Sequence, residues 1–176
     1  MTEHQEWIST ALPHYRLRFA TVLDVELILE FIQGLADFEK MSKDVVATCS
    51  ILSSSLFGAD ARGAQVLLGY LNEEPVSFAL FFHNFSTFLG RPGLYLEDLF
   101  VKEHARGHGI GTAILRHLAQ IACDRNCPRF EWVCLDWNVR ALDFYKSLGA
   151  EILPEWKIHR TTGTALKTLQ QDAPKN

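Results

Sequence analysis

Glycines stand at alternate positions in the run Arg106-Gly107-His108-Gly109-Ile110-Gly111, between a strand-like stretch and a helix-like one. Glycine lacks a Cβ, so such a run turns tightly and brings backbone N–H groups up to a ligand. The start of a helix adds partial positive charge, and Arg106 adds a full one. Together these build a cradle for a diphosphate. The spacing is neither the G-x-G-x-x-G of dinucleotide sites nor the G-x-x-x-x-G-K-S/T of nucleotide-hydrolysing enzymes. A glycine-rich turn that only opens a helix is the alternative. His108 lies inside the run and reads as an outward-pointing side chain, while His83, His104, His117 and His159 show no ligand spacing. The cysteines, Cys49, Cys123, Cys127 and Cys134, form no paired C-x-x-C sets. Zinc needs four close nitrogen or sulfur ligands. The cysteines therefore read as small buried residues, and no metal is expected.

Other elements must hold this run in place. Tyr15, Leu17 and Phe19 alternate with Arg16 and Arg18, the period of a half-buried strand. Asp24 is placed to cap a helix that carries Leu27, Ile28, Phe31, Ile32 and Leu35 at helical spacing. A second helix is expected from about Lys43 to Phe57, ending before Gly58. Gln65 to Leu71 and Val76 to Phe85 read as strands joined by Asn72-Glu73-Glu74-Pro75. Gly90-Arg91-Pro92-Gly93 reads as the next turn, and Leu94 to Val101 as the strand leading to the glycine run. Ile110, Ile114, Leu118 and Ile121 give a helix to about Cys123, stopped by Asn126 and Pro128. Phe130 to Leu135 reads as a further strand. Val139 to Leu148 reads as a short helix closed by Gly149, and 152–153 and 156–159 as short final strands. Hairpins followed by a right-handed strand–helix–strand crossover predict a mixed α/β (α+β) sheet of six or seven strands. One domain is expected over residues 15–170, with 1–14 and 171–176 as mobile ends.

Composition narrows the function. The 176 residues, 48% hydrophobic and 22% charged, suit one folded domain and exclude a chain disordered throughout. With 17 Lys and Arg against 21 Asp and Glu, the net charge of -4 has the wrong sign for a general nucleic-acid binder. It is compatible with a small cationic substrate. No apolar run approaches the ~20 residues of a membrane span. Met1 to His14 lacks the basic flank and apolar stretch of a signal peptide, and the cysteines show no disulfide pattern. A cytoplasmic location is therefore expected.

The chain resembles the GNAT superfamily of N-acetyltransferases. Arg106, Gly109 and Gly111 match the Q/R-x-x-G-x-G/A pattern of its acetyl-CoA loop. Tyr95-Leu96-Glu97-Asp98-Leu99-Phe100-Val101 is similar to the strand that lines the pantetheine arm. Asn138 and Asp143-Phe144-Tyr145-Lys146-Ser147-Leu148-Gly149-Ala150 are similar to the terminal N…F-Y-x-x-x-G-A motif. The likeness runs from about Tyr15 to Leu169 and is strongest from Leu94 to Ala150. Leu35-Ala36-Asp37-Phe38-Glu39-Lys40, Leu94-Tyr95-Leu96-Glu97-Asp98 and Leu135-Asp136-Trp137-Asn138 resemble the diamine acetyltransferase group, which includes spermidine/spermine and thialysine enzymes. Where the polyamine branch has Asp-Pro-Trp, this chain has Phe85-Ser86-Thr87-Phe88. That departure leans toward the thialysine-type branch. The resemblance implies a mostly antiparallel sheet with a central, splayed parallel pair, flanked by about four helices.

It also implies a reaction: transfer of acetyl from acetyl-CoA to the primary amine of a small diamine or lysine-like amino acid, by direct attack in a ternary complex. An amine of pKa ~10.4 is protonated at neutral pH, so a base must take its proton. Glu97 is the implied base. Asp98 faces the other side of a regular strand, and a bulge would bring both toward one site. Backbone N–H groups near Leu99 to Val101 would stabilise the oxyanion, and Tyr145 is the implied acid for the leaving thiolate. Coenzyme A contacts carry over to Leu99, Phe100, Val101, Arg106, Gly107, His108, Gly109, Ile110, Gly111, Thr112 and Asn138. Substrate contacts carry over to Phe38, Glu39, Glu97, Asp98, Glu155 and Trp156, a set of carboxylates with an aromatic wall that suits a cationic amine. The alternatives are strand-end surface acids for Glu97 and Asp98, a core aromatic for Tyr145, and solvated acids for Glu39 and Glu155. A homodimer is implied as well. Polyamine acetylation and a non-catalytic acyl-CoA-binding sensor are the rival functions.

Overall fold

A computed structural model describes residues 6–59 and 61–171. Two compact units make up the chain, one reaching Val133 and the other beginning at Cys134. In the first unit, six strands lie in the order β1-β2-β3-β4-β5-β6: Ile8–Ser9, Tyr15–Phe19, Gln65–Leu71, Glu74–Ser86, Arg91–Val101 and Phe130–Trp132. Neighbours are antiparallel except β5 and β6, which run parallel with Leu94 opposite Phe130 and Leu96 opposite Trp132. The mixed, mostly antiparallel sheet is thus as expected. The parallel pair, however, stands at the end of the strand order rather than in its centre, because no strand follows β6 among the described residues.

Three helices belong to this unit: α1 (Val25–Glu39), α2 (Cys49–Phe57) and α3 (Ile110–Asp124). The apolar stripe of α1 buries Val25, Ile28 and Phe31 against Leu52 of α2 and against Val66, Leu68, Phe78 and Phe100 of the sheet. Phe31 stacks on Phe78 at 5.4 Å and meets Phe100 edge-on at 6.4 Å. Alternate β4 residues point to the opposite face, where Arg125, just past α3, lies 5.9 Å from the Phe81 ring. There α3 buries Ile110, Ile114, Leu115, Leu118 and Ile121. Asn126, at φ 56°, ends α3 as expected.

Several boundaries differ from the expectation. Residues 43–47 do not join α2, since Thr48 caps that helix by accepting the Ile51 N–H at 3.2 Å. Asp24 makes no cap bond to α1. Its carboxylate instead accepts from Arg18 at 2.7 and 2.8 Å and from the Thr21 N–H at 2.8 Å, while Arg18 also donates to the Tyr70 hydroxyl at 2.6 Å. Arg18 is therefore buried, and Phe19 is the exposed end of β2. The β4–β5 turn lies at 87–90, so Arg91, Pro92 and Gly93 are already in β5. Ile8 and Ser9, expected in a mobile end, pair with Leu17 and Arg16, and the Arg16 guanidinium lies 3.8 Å over Trp7. The expected ends at 1–5 and 172–176 lie outside the described residues.

The second unit contains α4 (Val139–Ser147) and α5 (Gly163–Gln171). Asn138 caps α4 by accepting the Ala141 N–H at 3.3 Å. Gly149, at φ 87°, closes it: its N–H bonds the Lys146 carbonyl, and the Ala150 N–H bonds that of Tyr145. The short strands expected at 152–153 and 156–159 do not form. Pro154 has no N–H to offer a ladder, and the Trp156 N–H turns back to the Leu153 carbonyl at 3.2 Å. The fifth helix, α5, was not expected. Among the described residues no helix is long and apolar enough to cross a membrane.

Candidate active site

The pairing of β4 with β5 slips at one point. Leu80 is opposite Asp98, but the next residue, Phe81, is opposite Leu96. Glu97 is the extra residue, and the slip is a β-bulge. Its effect is to change faces. In an unbroken strand Leu96 and Asp98 would share a side. Here Asp98 shares the side of its partner Leu80, which packs on the α1 cluster, while Leu96 shares that of Phe81, toward α3. Asp98 thereby comes to the face where α1 ends.

That end is sharply defined. Lys40 takes a left-handed conformation at φ 62°, and its N–H and that of Met41 bond back to α1 carbonyls. Phe38 and Glu39 are consequently the last helical residues, at the pole where a helix carries partial negative charge. Burial holds the Glu39 carboxyl above its ordinary range. Asp98 is pushed up to about 6, first by burial, then by the charges of Glu97 and Glu39. Glu97 itself is exposed. The structure thus brings Glu39, Glu97 and Asp98 into one carboxylate cluster, a site that a cation would relieve.

Phe38 precedes Glu39 in the last turn of α1. The Arg106 guanidinium lies 4.7 Å from the Phe38 ring and 5.5 Å from that of Phe100, and its Nε donates to the Val101 carbonyl at 2.8 Å. Phe100 fits because Gly34 faces it: a Cβ there would stand 3.1 Å from the ring. Arg106 therefore ties the end of β5 to the end of α1. From Glu97 to Val101, β5 pairs only with β4, and its other edge meets no strand among the described residues. Backbone groups of that edge can bond an extended ligand.

The glycine run follows directly. Gly107 and Gly109 have φ 82° and 81°, a region L side chains enter only with strain. The first bond of α3 runs from the Ala113 N–H to the Gly109 carbonyl at 3.0 Å. The N–H groups of Ile110, Gly111 and Thr112 thus have no acceptor within the helix. With His108 held 3.4 Å from the Ala105 carbonyl, the loop presents backbone donors at a positive helix pole, as a diphosphate requires. One neighbour was not foreseen: Leu12, whose Cδ2 would touch a Cβ on Gly109 at 3.4 Å. Ser9, Thr10 and Leu12 line a cavity of about 370 Å³ with Gly109, Thr112 and Arg116. A two-residue strand such as β1 leaves too short a period to read.

The remaining expected residues lie in the second unit. Asn138 is the N-cap of α4, and Tyr145 lies on that helix with its ring 5.3 Å from Phe144. Glu155 and Trp156 lie between α4 and α5, at the turn after Pro154.

Comparison with known proteins gives the family. An L-ornithine N5-acetyltransferase of Arabidopsis thaliana is 31% identical, covering 89% of this chain and 88% of its own. A thialysine N-epsilon-acetyltransferase of Bos taurus is 36% identical, covering 87% and 95%. An integron cassette protein from the mobile metagenome of V. cholerae superposes with a TM-score of 0.76 at 28% identity, over 90% of this chain and 99% of that one. The acetyltransferase (GNAT) family matches residues 36–150. That match opens just before Phe38 and Glu39 and closes on the Gly149–Ala150 cap of α4, enclosing the bulge, the cradle and Tyr145 alike: the chain belongs to the GNAT acetyltransferase family and is an N-acetyltransferase.

Proposed function

We propose that the enzyme moves acetyl from acetyl-CoA to the side-chain amine of a lysine-like amino acid or a small diamine, thialysine being the type, by direct attack in a ternary complex. The observation that carries this reading is the carboxylate cluster of Glu39, Glu97 and Asp98 at the negative pole of α1, where Phe38 precedes Glu39. Such a site attracts an ammonium and repels an anion. The names of the relatives from Arabidopsis thaliana and Bos taurus point to L-ornithine and thialysine, both amino acids with a terminal primary amine.

In this reading the N–H groups of 107–112 hold the diphosphate of acetyl-CoA, and main-chain groups of Leu99 to Val101 bond its pantetheine amides. Asn138 completes the coenzyme A contacts. The ammonium sits among Glu39, Glu97 and Asp98, with Glu155 and Trp156 as further substrate contacts, and a carboxylate of the 97–98 pair takes its proton. The free amine attacks the thioester carbonyl, N–H groups near Leu99 to Val101 stabilise the oxyanion, and Tyr145 gives a proton to the departing thiolate. The reading also carries a homodimer and a cytoplasmic location, the first tested by light scattering and the second by fractionation.

A CoA-release screen over thialysine, lysine, ornithine, putrescine, spermidine and spermine tests the substrate. The amino acids are expected to give the higher kcat/KM. A spermidine preference would move the enzyme to polyamine acetylation. Binding of acetyl-CoA without release to any amine would make it a sensor. Tyr145→Phe is expected to lower kcat by about tenfold to a hundredfold with acetyl-CoA affinity kept; an unchanged kcat removes Tyr145 from the acid role.

A further inference from the structure

We propose that Asp98, not Glu97, is the carboxylate that takes the ammonium proton, with Glu97 serving as the solvent-side counter-ion that draws the substrate in. The proposal rests on the acetyltransferase reading above and refines the division of labour within its carboxylate cluster.

The bulge supplies the geometry. It inserts Glu97 without a partner and turns Asp98 onto the α1 face, beside Leu80 and toward Glu39. Glu97 is left exposed, where water competes for any proton it receives. Asp98 is half-buried. Facing it are Glu39 from α1, Glu97 from its own strand and the apolar Leu80 from β4. Nearby in the chain are the cations Lys40, next to Glu39, Arg106, whose Nε donates to the Val101 carbonyl, and Lys102, whose ammonium pairs with Glu30. A general base works best when its affinity for the proton lies near the working pH. The surroundings of Asp98 move it in that direction, to about 6.

The step balances. The ammonium gives one proton to an Asp98 oxygen. The amine lone pair forms the C–N bond, the C–S bond breaks, Tyr145 gives its proton to the thiolate, and a second nitrogen proton restores Tyr145. Asp98 then returns its proton to water, so each turnover yields amide, coenzyme A thiol and one proton. Glu39 has the complementary task of keeping negative charge beside Asp98, which strengthens its hold on the proton it takes from the ammonium.

The test compares Asp98→Asn and Glu97→Gln in the full-length enzyme, with thialysine as amine and acetyl-CoA binding followed by calorimetry as a check on folding. In the wild type, kcat/KM is expected to rise with pH through an apparent value near 6 and then level. Asp98→Asn should lower kcat by about a hundredfold or more, abolish that limb and leave acetyl-CoA affinity within a factor of ~2. Asp98→Glu should restore part of kcat with a displaced limb. Glu97→Gln should keep a limb, displaced to lower pH by the loss of a neighbouring charge, and act chiefly on KM. The assignment is overturned alone if the wild type is active while Asp98→Asn keeps its rate and limb, or if Glu97→Gln loses both. Wild-type enzyme that releases no CoA with any amine overturns the assignment together with the reading beneath it.

Discussion

Asp24 and Asp98 are both withdrawn from water in the first unit, and their surroundings have opposite signs. Burial of Asp24 opposes its charge, but hydrogen bonds from Arg18 and Thr21 outweigh that, and its carboxyl lies below the ordinary range. Asp98 meets burial first and then two more carboxylates, and it lies well above. One site is satisfied from within and fixes the β2–α1 corner. The other is left short of positive charge, which a substrate amine can bring. A satisfied buried charge builds structure, whereas an unsatisfied one stores free energy that binding releases.

Unpairing the satisfied site should have the largest consequence for the fold. Asp24→Ala leaves the Arg18 guanidinium buried without its counter-ion, and such a loss costs about 3–5 kcal/mol. Urea unfolding at pH 7 is expected to show a midpoint shift of that size, and a shift below about 1 kcal/mol would place the pair among inert surface bridges. The pH dependence has a definite sign. A carboxyl with a depressed folded pKa stabilises above its unfolded value of ~3.9 and loses that stabilisation as the pH falls through its folded value. Acidification below about pH 4 should therefore erode wild-type stability, and less so that of Asp24→Asn.

The opposite sign is expected at Asp98, with a smaller effect. Its folded pKa is raised, so the fold binds this proton more tightly than the unfolded chain does. The ionised group penalises folding progressively between about pH 4 and 6, and the full penalty persists above. Asp98→Asn should thus raise stability by about 1–3 kcal/mol at pH 7.5, with no gain near pH 3.5, while turnover falls. Thermal unfolding at both pH values reads this directly. Equal midpoints at pH 7.5 would mean that water or Lys40 already compensates the cluster. A variant that is sturdier and slower is the usual mark of a site built for function rather than stability.

The two sites were unequally legible in the sequence. The cradle could be read because its signals are local: glycines at alternate positions, then Ile110, Ile114 and Leu118 at helical spacing. The 97–98 acids could be read as a pair, but the bulge that turns Asp98 away from the side of Leu96 is a property of two strands in register, and Leu80 and Phe81 carry no mark of it. Alternation alone puts Arg18 outside, because a strand's period does not reveal a counter-ion six residues on. The same blindness produced the false strands after α4. Ile152, Leu153 and Trp156 have strand-forming side chains, and the turn at Pro154 overrides them. Leu166 and Leu169, three apart, are the only periodic hint of α5, too brief to stand against the polar residues around them.

The smallest expected effect separates charge from backbone strain at the carboxylate cluster. Lys40 holds a left-handed φ of 62° that fixes Glu39 as the last residue of α1. A side chain there costs about 1–2 kcal/mol relative to glycine, partly offset because glycine loses more freedom on folding. Lys40→Gly should therefore stabilise by about 0.5–1 kcal/mol without moving Glu39. If the free energy stored at Asp98 comes from its carboxylate neighbours, the gain from Asp98→Asn should be the same in either background, within about 0.5 kcal/mol. A gain from Asp98→Asn that grows when Lys40 is removed would show that the lysine ammonium already tempers the cluster, and that the substrate amine competes with a cation of the chain itself. A gain that shrinks would mean that the turn at Lys40 presses Glu39 against Asp98, so that backbone strain as well as charge raises the Asp98 carboxyl.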